Sequence, residues 1–471
     1  MKILLLSPPG KNLDNPSLGI AYITSLLNEN NHEAIIYEGN NKTVDEIVSF
    51  AEKVKPDIVG ISMLTTKRMA CLDVVRKIKN KLKIPIIVGG PHATLMPKQL
   101  MDNYSFIDYV VRGEGEYICL NLLNTLEKNK KTGLKEIKGL SFRENKKIIH
   151  NQSAHLIEDL DKLPLPEHKF FDLKSYSKLA HHPKELLNYP HSNIISSRGC
   201  PYNCTFCSSS NLWGRRIRFR NPVSVVDEVE LLVKKYGVRY IMFMDDHFTA
   251  NRDRAIEICK LLIERGLHKK IKWQCHSEVN VITKELVDWM KKAGCYLIEY
   301  GVEDSSPEGI KFHRKAHNMK HVYNAFKLTK EAGIKTLSFF IIGGDHESLE
   351  NIQNKKRVVE QLDPDITTSS ILVAFPGTEI FEIGKKRGWW TDDIFLTPCI
   401  GKNFHSAVPI FPSKNLTLEQ MFEASAGFDY WWNKKKGGFS IKHKIPIILT
   451  LIKNKDFSKI YSMSKSVLLS R

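Results

Sequence analysis

The stretch Arg198-Gly199-Cys200-Pro201-Tyr202-Asn203-Cys204-Thr205-Phe206-Cys207 sets three cysteines within eight residues, spaced Cys-x3-Cys-x2-Cys. Three chemistries use close cysteines. A disulfide would leave one thiol over. A structural zinc site wants a second Cys or His pair at matching spacing, and none is evident. A cluster of four irons held by three thiolates keeps one iron open, and a substrate or cofactor can bind there.

The other cysteines (71, 119, 259, 275, 295 and 399) are scattered singly in apolar contexts, and the total of nine is odd. The N-terminus, Met1-Lys2-Ile3-Leu4-Leu5-Leu6-Ser7-Pro8-Pro9-Gly10, reads as a buried first strand and lacks the small-residue cleavage site of a secretory signal. Both features predict reduced thiols in a cytoplasmic protein.

Regular elements must position the triplet. Short Ile- and Val-rich runs at Ile3–Ser7, His32–Tyr37, Asp57–Ser62, Ile84–Gly89 and Tyr109–Val111 alternate with helical patterns at Leu18–Asn28, Val44–Val54, Ala70–Leu82 and Lys98–Asn103. That alternation predicts an α/β domain over 1–125, a doubly wound parallel sheet binding its ligand beyond the carboxyl ends of the strands. A hairpin (Gly139–His150) and the proline-broken Leu160–Glu167 predict a linker over 126–190. Candidate strands at Ile194–Ser197, Tyr240–Met244, Lys272–His276, Tyr296–Tyr300, Thr336–Ile342 and Ile366–Val373 alternate with longer helices. Six such units predict a partial (β/α)6 barrel over 191–388, with the triplet at the end of its first strand. Residues 389–471 read as a mainly helical, basic C-terminal region.

Hydrophobic residues at 42% and charged residues at 26% describe an ordinary globular chain, without a run of about 18 apolar residues to span a membrane. The net charge of +18 reads as a Lys-rich solvated surface for most of the chain. From Trp431 to Arg471, however, ten Lys/Arg face one acid and interleave with Ile445–Ile452. That mixture suits peripheral membrane contact, as it does a helix packed on the main body.

The triplet at a strand–loop junction, with Phe206 before the last cysteine, resembles the radical S-adenosylmethionine (SAM) superfamily. The resemblance implies a [4Fe–4S] cluster on Cys200, Cys204 and Cys207, and SAM on the open iron. It also implies SAM contacts from Phe206, from Asp245 in Met244-Asp245-Asp246-His247-Phe248, from Glu303 in Gly301-Val302-Glu303-Asp304-Ser305, and from Gly343 in Ser338–Asp345. The usual Gly-Gly-Glu of the second strand is absent, so Asp245 or Asp246 must substitute.

Ser62-Met63-Leu64 and Gly89-Gly90-Pro91-His92 resemble the elements of the cobalamin-binding fold, which implies that Ser62, Leu64, Gly89, Gly90 and Pro91 hold cobalamin. The fold's Asp-x-His-x-x-Gly, whose His binds cobalt, is missing, and His92 reads as a loop histidine near the nucleotide tail. Together with Arg112-Gly113-Glu114-Gly115-Glu116 and Phe375-Pro376-Gly377-Thr378-Glu379, the chain resembles the B12-binding radical SAM proteins over about residues 1–400. That resemblance implies methylation of an unactivated carbon of a small-molecule or lipid-like substrate, through a 5′-deoxyadenosyl radical and methylcobalamin, with an external electron donor. The alternative within the family is a non-methylating oxidoreductase or cyclase. A transfer RNA methylthiotransferase would need further cysteines before the triplet, where only Cys71 and Cys119 stand, and an iron–sulfur nucleic-acid binder would not need two cofactor domains. Nucleic acid is not the expected partner, and no catalytic acid or base is singled out.

Overall fold

The computed structural model describes residues 1–9, 15–128, 131–145, 147–176, 183–396 and 408–436. The basic tail beyond residue 436, where membrane contact was expected, lies outside the described residues. No described helix is long and apolar enough to cross a membrane.

The first sheet contains β1 (Lys2–Leu6), β2 (Glu33–Tyr37), β3 (Ile58–Ser62), β4 (Ile86–Gly89), β5 (Tyr109–Val111), β6 (Leu140–Glu144) and β7 (Lys147–His150), in the order β2-β1-β3-β4-β5-β6-β7. β1 to β5 are parallel and covered by helices on both faces, which is why they read as unbroken apolar runs. The hairpin placed in the linker instead extends this sheet, because β6 pairs antiparallel with β5 and Phe142 is fully buried in the core. Local signals set the helices. Thr43 Oγ1 accepts from Glu46 N at 3.2 Å while Glu46 Oε2 accepts from Thr43 N at 2.8 Å, starting the helix Val44–Val54. Removing the Thr43 hydroxyl should cost about 1 kcal/mol.

The second sheet is wholly parallel: β8 (His191–Ile194), β11 (Tyr240–Phe243), β12 (Lys272–Ser277), β13 (Cys295–Glu303), β14 (Lys335–Ile342) and β15 (Ile366–Ile371), in that order. β8 and β15 do not pair, so the barrel is open, as expected. The first strand ends at Ile194 rather than Ser197. Past it the chain swings out, and β9 (Ser197–Arg198) pairs antiparallel with β10 (Arg218–Phe219).

The helix Leu418–Lys435 covers the open edge of β15. Asp429 Oδ1 accepts from Ser369 N at 2.6 Å, and Asn433 Oδ1 from Thr367 N at 3.2 Å. These side chains take the bonds a further strand would have made, which protects the edge from other pairings. Buried Phe428 packs on Phe340, and Trp432 Nε1 donates to Pro364 O at 2.9 Å.

A third apolar cluster joins the domains: Met96 from the first packs with Ile341, Leu372, Phe381, Trp390, Phe395 and Phe411 from the second. Arg68, 1% exposed, donates from Nε to Phe395 O at 2.6 Å across the same seam. The two carboxyl-end mouths are thereby held in a fixed relation.

Candidate active site at the domain junction

Gly199 opens the cysteine loop at φ +105, where a Cβ would lie 2.5 Å from Arg216 O. Only glycine fits that turn. Behind the loop, Thr205 N donates to His313 O at 3.2 Å, Thr205 Oγ1 to Phe312 O at 3.0 Å, and Ile380 N to Thr205 O at 3.1 Å. The Phe375–Glu379 segment noted in the sequence therefore serves as a backing clamp, with Gly377 against Leu95 of the first domain. Phe206 packs edge-on to His313 at 5.4 Å and joins the interdomain apolar cluster. It stands behind the loop as a wedge.

Cys200 and Cys204 are half-buried and Cys207 is exposed, whereas Cys71, Cys119, Cys259, Cys275 and Cys295 are buried. All are free thiols. Burial pushes Cys200 up to about 11 and Cys204 up to about 12, so without metal they are protonated, and metal binding releases those protons. Three unbridged thiols on one loop at a cavity mouth fit the three-ligand cluster.

Asp245 requires a correction. It is 1% exposed, and its carboxylate accepts from Ser196 Oγ at 2.8 Å, from Ser196 N at 3.2 Å and from Ser197 Oγ. It ties the end of β8 to β11, a structural use of the carboxylate rather than the SAM contact expected of it. Asp246 is the open one, bonded to Ser209 Oγ two residues beyond Cys207, and surrounding protein pushes its carboxyl above the usual range.

Glu303 ends β13 at φ +63. Burial first, with Lys315 opposing and Glu278 reinforcing, pushes its carboxyl up to about 7. Lys315 Nζ lies 2.7 Å from Glu278 Oε1 and 3.9 Å from Glu303 Oε1. Against the effect of burial, His317 and Lys315 hold the Glu278 carboxyl down at about 2. Glu278, Lys315 and Asp246 thus join Glu303 around the cysteines, a constellation only half foreseen. The detectable signal is an acid at or just beyond the end of each of three consecutive strands. Gly343 (φ +130) donates its N–H to Glu347 Oε2 at 3.0 Å, and a Cβ there would meet Met421 Cε at 2.8 Å and Leu372 Cβ at 3.0 Å. Close packing thus already requires this glycine.

Asp304, His313 and His346 place ligand atoms within 4.8 Å of one another, as a metal site would. A cation is already resident: Lys355 Nζ lies 2.8 Å from Asp304 Oδ2 and also meets Glu347 and Ile341 O. Asp304, with Glu347, is the counter-charge of a buried lysine.

In the first domain, Ser62, Leu64, Gly89, Gly90 and Pro91 gather at the carboxyl ends of β3 and β4. Gly90 has φ +90, and a Cβ would lie 2.8 Å from Met63 N and 2.9 Å from Ser62 Oγ. Leu64 is 36% exposed at this mouth. Small residues and an apolar lip suit a bulky cofactor. His92 does not line it. The ring is fully buried, 3.2 Å from Thr65 Oγ1 and edge-on to Phe395, and burial, then Arg68, pushes it down to about 3.

The mouths share a wall. Asn193 Nδ2 donates to Pro16 O at 3.2 Å and Asn15 Nδ2 reaches Met242 Sδ at 3.6 Å, so the first loop of the first domain touches β8 and β11.

A partial parallel barrel with a three-thiolate loop, facing a doubly wound domain, defines a radical SAM enzyme with a second cofactor domain. Residues 194–357 match the radical SAM superfamily and residues 12–123 the B12 binding domain. The uncharacterized methyltransferase PH0819 of Pyrococcus horikoshii is 32% identical over 89% of this chain and 90% of its own. The anaerobic magnesium-protoporphyrin IX monomethyl ester cyclase of Cereibacter sphaeroides is 31% identical over 72% of this chain and 55% of its own. The cobalamin-dependent radical enzyme OxsB, solved with aqua-cobalamin and SAM, superposes with a TM-score of 0.73 at 18% identity, covering 100% of this chain and 72% of its own. The chain belongs to the B12-binding radical SAM family.

Proposed function

We propose that the protein methylates an unactivated carbon of an organic substrate held between its two domains. When bound, the cluster with SAM and cobalamin supplies a carbon-centred radical able to abstract hydrogen, and a transferable methyl group. Cys200, Cys204 and Cys207 hold the cluster. Asp246, Glu278, Glu303 and Lys315 present both signs of charge beside it, matching the ammonium, carboxylate and ribose hydroxyls of SAM. Ser62, Leu64, Gly89, Gly90 and Pro91 would receive cobalamin. The contacts of Asn15 with Met242 and of Pro16 with Asn193 carry the reading, because they hold the first loop of the first domain against β8 and β11 of the domain that carries the cysteines. The methyltransferase relative supports methyl transfer over cyclisation, and an external one-electron donor completes the reaction.

Anaerobic reconstitution with SAM, cobalamin and a reductant tests this. 5′-Deoxyadenosine should form together with S-adenosylhomocysteine. The first without the second points to the cyclase-like alternative. Cleavage of SAM persisting in C200A, C204A and C207A would overturn the cluster assignment.

A further inference from the structure

Below the cysteine loop, the inward face of the second sheet is unexpectedly polar. Strand alternation sends Trp273 and Cys275 into the helix-facing core and Gln274 and His276 to the other face. Glu299 stands in register with His276 on the neighbouring strand. Tyr240 donates its hydroxyl to Gln274 Oε1, Gln274 Nε2 donates to Glu299 Oε1 at 2.5 Å, and His276 Nδ1 lies 3.5 Å from Glu299 Oε2. Each group orients the next.

One end of this run is closed and the other open. Tyr240, Gln274 and Glu299 are buried, but the His276 side chain is 32% exposed, its ring stacked on Phe339 at 6.3 Å. With Nδ1 turned to Glu299, the imidazole offers Nε2 to the cavity. A carboxyl buried where leucine would fit is unfavourable unless it has a task. His276 lies two residues before Glu278, and Glu299 four before Glu303, so the pair sits one layer beneath the groups assigned to SAM.

We propose that His276 and Glu299 form the polar anchor of the substrate site, and that the substrate carries a hydroxyl or amine that donates to His276 Nε2. The inference rests on the functional reading above and narrows its substrate class. A saturated polycyclic hydrocarbon leaves this anchor unpaired, whereas an alcohol or amine completes the run, as it does wherever a carboxylate-oriented imidazole meets an O–H or N–H. Met242 and Phe339, half-buried on the same face, supply the apolar wall for the rest of such a molecule.

Three benzyl probes test it: benzyl alcohol, benzylamine and toluene, titrated into the reconstituted enzyme and into its H276F and E299Q variants by saturation-transfer NMR. The alcohol and amine should bind at least tenfold more tightly than toluene. H276F should lose that preference while toluene binding stays unchanged, and E299Q, which keeps the shape but removes the charge and turns an NH2 group toward the Gln274 Nε2 or His276 Nδ1 donor, should weaken benzylamine most. No polar preference in the wild type, or the same preference in H276F, would overturn the anchor. SAM cleavage and S-adenosylhomocysteine formation are measured on the same samples. Their failure with the preference intact would sink the methyltransferase reading and leave the anchor standing, and the reverse pattern would do the opposite.

Discussion

Arg198 Nη2 lies 2.6 Å from Glu116 Oε1, and its Nη1 lies 2.8 Å from Glu114 Oε1, two residues before the first cluster cysteine. Arg218 Nη1 closes the group at 2.7 Å from Glu114 Oε2, and every member is nearly buried. The guanidinium of Arg198 also lies over the rings of Tyr22 and Trp213. The first domain thus grips the root of the cysteine loop directly, and the position of the cluster depends on the domain assigned to cobalamin.

Replacing Arg198 by Met should destabilise the protein by about 3–5 kcal/mol, because it leaves Glu116 buried without its ion-pair partner and Glu114 with Arg218 alone. Arg198→Lys keeps the charge but loses the forked geometry and the ring stacking, and should fall between. Urea unfolding measures both, and iron retained after reconstitution should drop in the same order. An R198M protein within about 0.5 kcal/mol of wild type, well inside the ordinary range for surface substitutions, would show that the network does not hold the junction.

The neighbouring aspartates should separate cleanly. Asp245→Asn disturbs three buried bonds to Ser196 and Ser197 and should cost on the order of 1–3 kcal/mol of stability. Asp246→Asn should leave stability nearly unchanged and weaken SAM binding to the reconstituted protein at least several-fold. Equilibrium dialysis with labelled SAM, beside thermal melts of both variants, distinguishes them. Equal SAM affinity in D246N and wild type would remove Asp246 from the site.

This pair also shows what sequence can and cannot say. The cysteine triplet is legible because its ligands are neighbours in the chain. Asp245 and Asp246 are neighbours too, but which one faces the cavity depends on Ser196 and Ser197, almost fifty residues earlier, where the chain swings off β8. Lys315 is invisible among so many lysines until Glu278 and Glu303 close around it. The strand–helix alternation revealed both sheets, although only the first has buried strands that are unbroken apolar runs, while those of the second carry polar residues such as Gln274, His276 and Glu299. The hairpin's attachment to β5 left no such mark, because antiparallel edge pairing depends on where a free edge lies. Arg112–Glu116 was recognisable as a motif, yet its work is done on Arg198, beyond a linker.

Acid should weaken the first domain through His92. Its folded value, about 3, lies below the ordinary 6.5, so the unfolded chain takes up the proton first. The stabilisation is complete above about 6.5 and is lost as pH falls toward 3, at up to about 1.4 kcal/mol per pH unit. His92→Asn lacks this term. Its stability deficit relative to wild type, measured by urea unfolding of cofactor-free protein, should therefore narrow by roughly 2 kcal/mol between pH 7.5 and pH 5. A deficit independent of pH would mean that His92 takes up its proton in the fold as readily as in the unfolded chain.

Lys355 should be what keeps metal away from Asp304, His313 and His346. Its ammonium is fully buried against Asp304 and Glu347, so Lys355→Met leaves two carboxylates facing two imidazoles with no cation between them. The substitution should cost about 3–5 kcal/mol in metal-free protein. It should also create an opening for zinc, whose usual ligands include His and Asp. To silence the cluster loop, both measurements belong in a background with Cys200, Cys204 and Cys207 changed to Ala. There, zinc should raise the melting temperature of K355M and leave the parent unchanged, with bound zinc counted by plasma emission after gel filtration. Stoichiometric zinc in the parent protein would show that the trio is a metal site in its own right and that lysine does not fill it.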